Sequence, residues 1–306
     1  MYGWAMQTTP RRPFSARRAL AILGLAGILA TLVAEPASAY AVRRTWTAHL
    51  GGNGANGTAV LRGYMAGDGS LELKLLGLQP STTYPIVAYR GSCTSPTVIT
   101  RLPGAVTDAT GAVSKTSAVS TRIMNSVWAY GRTGTIAIKI GTVSLARCGA
   151  LTYPVATRIA MRGLKIDLPV VKGPGGYPYC NVAMYYPTLS QPREGGVSFL
   201  YAHARVGMFL PLLERSKVNN GASLLGATIQ VWTSNDLVST YKIVKVRRHV
   251  TSLAGAFTAT SEQLWVQTSE GPRGTRQKLI VVARRTGTAA ATHATAHPTP
   301  HPLVCH

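Results

Sequence analysis

An all-β chain in two successive parts is what the sequence predicts: a β-sandwich over 40–151, then a second β domain over 152–285. Three observations carry this. Short runs rich in β-branched and aromatic residues recur at 58–64, 70–76, 84–90, 97–102 and 135–140. Turn-forming clusters separate them, among them Gly67-Asp68-Gly69 and Gln79-Pro80-Ser81. Further on, apolar and polar residues alternate with period two through 227–233 and 241–246, the spacing of half-buried strands. The 306 residues suffice for two domains, and with 46% apolar residues the chain can build a core in each.

Residues 1–39 read as a secretory signal rather than as part of the fold. Arg11, Arg12, Arg17 and Arg18 precede an uncharged run over 19–34, and Ala37-Ser38-Ala39 follows as a small-residue cleavage site. Cleavage after Ala39 starts the exported chain at Tyr40. Retention as a membrane anchor is the alternative, although the run is shorter than a comfortable span. Export to the cell envelope permits disulfides. Of the four cysteines, Cys93 and Cys148 bracket the second half of the sandwich and are expected to staple it. Cys305 is either free or joined to Cys180, and no CxxC spacing suggests a metal ribbon or a redox pair.

Charge narrows the partners. Against 32 Lys+Arg stand 10 Asp+Glu, a formal charge of +22. For an exported protein this favours anionic wall polymers or lipid headgroups. No long basic run with interleaved aromatics marks a nucleic-acid site. The scarcity of acids also argues against paired-carboxylate chemistry. Residues 286–306 are rich in Ala, Thr, Pro and His and lack apolar periodicity. A disordered, solvated tail is expected there, its histidines His293, His297, His301 and His306 included.

In the first domain, Trp46-Thr47-Ala48-His49-Leu50, Gly57-Thr58-Ala59, Leu78-Gln79-Pro80 and Arg90-Gly91-Ser92-Cys93 resemble the chordin-like and superoxide-dismutase-like β-sandwich modules of secreted bacterial proteins. A copper–zinc site needs several histidines and this segment has His49 alone, so no metal is carried over.

Four matches in the second domain occur in the order of the sortase family. Residues 158–170 resemble its opening strand pair. Val197-Ser198-Phe199-Leu200-Tyr201-Ala202-His203 resembles the strand that leads to the catalytic histidine, and 208–213 the short helix after it. Residues 227–233 and 241–246 resemble two adjacent barrel strands. Leu264-Trp265-Val266-Gln267-Thr268-Ser269 stands where the family has Thr-Leu-x-Thr-Cys, and 278–283 matches the final strand. The resemblance implies a sortase-like β-barrel and a cysteine transpeptidase that cleaves sorting-signal peptides and passes the acyl group to an amine. It also implies a site in which His203 keeps the histidine position, Ser269 replaces the nucleophilic cysteine, and Lys278 stands for the arginine, with Arg276 as the alternative.

A serine hydroxyl is far less acidic than a thiol and needs a base at hand, for which His203 is the first candidate and Asp236 or Glu270 the candidate orienters. Lysine keeps the charge of arginine but not its planar fork. Two roles are therefore open: a serine-variant acyl transferase or hydrolase acting on sorting-signal-like peptides, or a non-catalytic pseudo-sortase that binds peptides or anionic wall polymers. Surface adhesion through the sandwich is a third. Neither role calls for a cofactor or a metal. A membrane partner enters only if the leader is retained.

Overall fold

The computed structural model describes residues 42–52, 55–94, 97–131, 134–141 and 147–305. The leader expected over 1–39 lies outside the described residues. Among those described, no helix is long and apolar enough to cross a membrane.

The N-terminal part consists of β1 (Val42–Gly52), β2 (Ala55–Tyr64), β3 (Gly69–Leu76), β4 (Thr83–Arg90), β5 (Val98–Val106), β6 (Val113–Val119), α1 (Thr121–Gly131), β7 (Ile136–Ile140) and β8 (Arg147–Leu151). The strands form one eight-stranded antiparallel sheet in the order β5-β4-β7-β8-β1-β2-β3-β6. Alternate residues point to one side. Trp46, Ala48 and Leu50 of β1, Ala59 and Leu61 of β2, and Leu71, Leu73 and Leu75 of β3 all enter a single core shared by every strand. The sandwich is thus one sheet folded over its own inward face. The helix α1 was not expected. It places Met124, Val127 and Trp128 on one side, the spacing of a helix that covers an open sheet end. Trp128 meets Trp46 edge to face, with ring centroids 4.7 Å apart. The Cys93–Cys148 disulfide is formed and ties the end of β4 to β8.

The remainder comprises β9 (Ala156–Met161), β10 (Ile166–Lys172), β11 (Tyr179–Cys180), β12 (Ala183–Tyr185), β13 (Val197–Tyr201), α2 (Leu210–Lys217), β14 (Thr228–Thr233), β15 (Leu237–Val250), α3 (Ala254–Thr258), β16 (Gln263–Ser269), β17 (Lys278–Ala290), α4 (His293–Ala296) and β18 (Leu303–Val304). Eight of these strands close a barrel in the order β10-β12-β13-β16-β17-β15-β14-β9, and β9 pairs with β10 to complete the ring. The contacts β10–β12 and β13–β16 are parallel and the others antiparallel. Inward side chains such as Ile159, Leu168, Leu200, Val231, Val266 and Val281 fill it, and Phe209 and Leu212 at the start of α2 pack against them. The all-β expectation and the barrel strands read from the sequence are both found.

The tail differs from expectation. Rather than ending near 285, β17 continues to Ala290, because the long β15 offers it a partner along its whole length, from Val250↔Lys278 to Leu237↔Ala290. Ala296 of α4 is fully buried against Ala160 and Trp232. Leu303 pairs with Cys180, and Cys305 is buried in a disulfide with Cys180. Composition alone misjudged this segment. It cannot bury a core of its own, but it extends an existing ladder and borrows the barrel's surface.

One buried ion pair joins the N-terminal sheet to the barrel. Arg44 of β1 is 2% exposed. Its Nε donates to Glu194 Oε1 at 2.9 Å and Oε2 at 3.1 Å, and its Nη2 to the Leu189 carbonyl at 2.9 Å. The guanidinium lies 4.1 Å from the centroid of the Tyr153 ring. Glu194 also accepts from the Gln191 amide at 2.7 Å, while Gln191 Oε1 accepts from the Ala156 amide at the start of β9. Burial pushes the Glu194 carboxyl above its ordinary value, against the downward pull of Arg44. Removing one partner strands a buried charge, so Glu194→Ala is expected to destabilise the protein by about 3–5 kcal/mol. Urea unfolding checks this, and an unchanged midpoint would show that the pair contributes nothing.

Candidate active site

The elements around His203 fix it from three sides. β13 runs parallel to β16, and beyond its last residue the Ala202 amide donates to the Gln267 carbonyl at 3.2 Å. Thr268, fully buried on β16, donates its hydroxyl to the Ala202 carbonyl at 2.9 Å. The His203 carbonyl then accepts from the Phe209 amide at 3.0 Å, where the chain turns into α2. The 173–178 segment closes over the imidazole. Gly173 opens that segment against the Tyr201 side chain, where a Cβ would stand 2.1 Å from Tyr201 Oη. His203 Nε2 lies 3.0 Å from the Pro178 carbonyl, and its ring packs on Tyr177 with centroids 5.1 Å apart. A carbonyl only accepts, so Nε2 carries the proton in this contact.

Ser269 ends β16 and lies directly opposite Lys278, the first residue of β17. Lys278 Nζ is 3.0 Å from Ser269 Oγ and donates to the Thr275 carbonyl at 2.6 Å. Burial lowers the Lys278 ammonium below the ordinary lysine value. Its amine is therefore available at a lower pH than that of a solvated lysine.

His203, Ser269 and Lys278 line one open cleft of about 630 Å³, together with Tyr177, Arg205 and Arg273. Arg276 does not belong to it. The chain turns at 272–275, with the Thr275 amide on the Pro272 carbonyl, and β17 begins only at Lys278. The period-two relation between Arg276 and Lys278 therefore does not hold, and Arg276 is exposed and does not line the cleft. Sequence reading missed two cations of the cleft, Arg205 and Arg273; the Arg273 guanidinium sits 4.7 Å from the centroid of the Tyr177 ring. The signal for Arg273 was the Gly271-Pro272-Arg273-Gly274 turn between two strands of the site.

Among the described residues, no hydrogen bond joins His203 to Ser269, and neither candidate orienter reaches the imidazole. Glu270 is engaged by Arg248 Nε at 3.0 Å and His249 Nδ1 at 2.7 Å. Asp236 faces His293 and His297. The Cys180–Cys305 disulfide flanks the site, its sulfurs within 4.8 Å of a His203 ring nitrogen, and Arg205 Nη1 is 3.2 Å from Cys180 Sγ. Bonded to each other, these sulfurs are neither nucleophiles nor metal ligands.

No protein-family model and no curated protein matches the sequence. Solved structures similar to this chain include sortase C2 from pilus island 1 of Group B Streptococcus, 18% identical with a TM-score of 0.35, the match covering 42% of this chain and 73% of that one. Sortase A of Listeria monocytogenes is 18% identical with a TM-score of 0.38, over 47% of this chain and 97% of that one. Sortase C of Streptococcus pneumoniae is 15% identical with a TM-score of 0.36, over 44% and 70%. All three are sortases, the family that the sequence motifs resemble, and the likeness is one of fold over part of the chain.

Proposed function

We propose that this chain is an exported, envelope-associated acyl transferase or hydrolase of sortase-like design, with Ser269 as nucleophile and Lys278 as its general base. The observation that carries the reading is the 3.0 Å contact between a lysine amine, depressed by burial, and a serine hydroxyl at the mouth of an open cleft. In this reading the neutral Lys278 amine takes the proton from Ser269 Oγ as the oxygen attacks a peptide carbonyl. The carbon–nitrogen bond of the tetrahedral adduct then breaks. The departing amine takes that proton from the Lys278 ammonium, which restores the neutral base. An acyl ester remains on Ser269, and water or an acceptor amine resolves it after losing a proton to the base. The role of base, first assigned to His203, thereby passes to Lys278. Cationic support for the oxyanion falls to Arg205 or Arg273. The substrates proposed are sorting-signal-like peptides.

A second reading, a non-catalytic module for anionic wall polymers, has its own support. Three cations, Arg205, Arg273 and Lys278, line one cleft of a chain with formal charge +22. Its signature would be binding of wall polymer that weakens steeply with salt.

Intact-mass analysis of the protein after incubation with a pool of sorting-signal-like peptides distinguishes the readings. The expected result is an acyl adduct on Ser269 that Ser269→Ala abolishes. No adduct from folded protein, with Ser269→Cys equally silent, would leave the binding reading in place. The base assignment has a separate check. Because the group must be deprotonated to act, the rate of adduct formation is expected to rise with pH, with a midpoint below the ordinary lysine value of 10.5. Lys278→Met is expected to slow it by about 10²–10⁴-fold. A profile that follows a histidine and survives Lys278→Met would return the base role to His203.

A further inference from the structure

A second group of chemically able side chains lies at the opposite end of the β15–β17 ladder from Lys278 and has no part in the proposed reaction. Asp236 sits in the turn between β14 and β15 with φ +59°, its amide on the Thr233 carbonyl at 3.1 Å. The tail is hydrogen-bonded to the same residue, the Ala291 amide donating to the Asp236 carbonyl at 2.9 Å. Thr292 caps the single turn of α4, and the fully buried Ala296 anchors that turn on Trp232 and Ala160. With the turn anchored, His293 and His297 stand side by side along it, one helical turn apart. Their rings stack with centroids 3.9 Å apart and converge on one carboxylate. His293 Nδ1 is 3.1 Å and His297 Nε2 3.0 Å from Asp236 Oδ1.

We infer that Asp236, His293 and His297 form a binding site for a single zinc ion, which clasps the tail to the β14–β15 turn. The donor chemistry is right, two imidazoles and a carboxylate being a common three-ligand set for zinc. The spacing is close to what is needed. A tetrahedral ion with bonds of about 2.0–2.2 Å holds its ligand atoms roughly 3.3 Å apart, so the three atoms would open only slightly to admit it. All three ligand atoms already lie within 4.8 Å of one another. The Asp236 and His293 side chains are 43% and 73% exposed, which leaves a fourth position open to water. One neighbouring cation, Arg158, which donates to the Thr295 carbonyl at 3.1 Å, is paired with Asp167. The site lies on two segments far apart in sequence, so its affinity depends on the fold rather than on the histidine content of the tail.

The test is a titration of zinc chloride into the chelator-stripped full chain without reductant, so that Cys180–Cys305 stays closed. One zinc per chain is expected, with a rise in melting temperature. Asp236→Asn and His297→Gln should each weaken binding at least about tenfold, by loss of one ligand. Asparagine tolerates the left-handed turn at 236, and circular dichroism verifies the fold of each variant. His301→Gln should leave binding unchanged. Absence of zinc binding would overturn the inference. So would binding that survives Asp236→Asn and His297→Gln but falls with His301→Gln, which would mark adventitious capture by tail histidines.

Discussion

Arg44 is a guanidinium taken out of water, and the cost of that burial is offset only by a paired charge and hydrogen-bond acceptors. Glu194 accepts from Nε and the Leu189 carbonyl from Nη2, the Tyr153 ring covers one face, and Gln191 ties the same loop to the first strand of the barrel. The loop so held, 189–195, leads directly into β13, and β13 delivers His203. A contact between the N-terminal sheet and the barrel therefore sets the starting point of the strand on which the cleft depends. The sheet is then more than a neighbour, since it supplies the cation that orders the approach to the site.

In the proposed reaction, a serine in place of a thiol alters the demands on its surroundings. A thiol beside an imidazole can ionise without a strong base, whereas a hydroxyl must be relieved of its proton during attack. Arginine opposite the nucleophile could never serve, because it stays protonated. Lysine can, provided its environment disfavours the charged form, and partial burial at the start of β17 does so. The short bond from Lys278 to the Thr275 carbonyl works in the other direction, since a carbonyl welcomes an ammonium. The 272–275 turn thus sets the balance between a base and a fixed cation.

Much of this was legible in the sequence. The strands carrying His203, Ser269 and Lys278 could be read because alternation with period two survives wherever one face is buried and the other is not. The pairing of Cys93 with Cys148 followed from their bracketing of one run of strands. The helix at 121–131 was missed because its apolar residues fall among strand-like neighbours. Arg276 was misjudged because an extended chain was assumed through a segment that turns. The tail was misread for a deeper reason. Composition reports what a segment can bury by itself, and residues 286–305 bury almost nothing alone. They are ordered by an unusually long partner strand, by one small alanine against Trp232, and by Cys305, features that acquire meaning only from partners distant in sequence.

The disulfide between Cys180 and Cys305 spans 125 residues and so encloses β13, β16 and β17 in one covalent ring. His203, Ser269 and Lys278 all lie inside it. A chain unfolded by heat or urea with this bond intact remains a closed loop, in which those three residues have far fewer separations to explore than in a linear chain. Reassembling the cleft after denaturation is then a search within a ring. Tyr177 and Pro178, the lid over the imidazole, sit just outside the knot, attached at a distance of two or three residues, so that even they return with it.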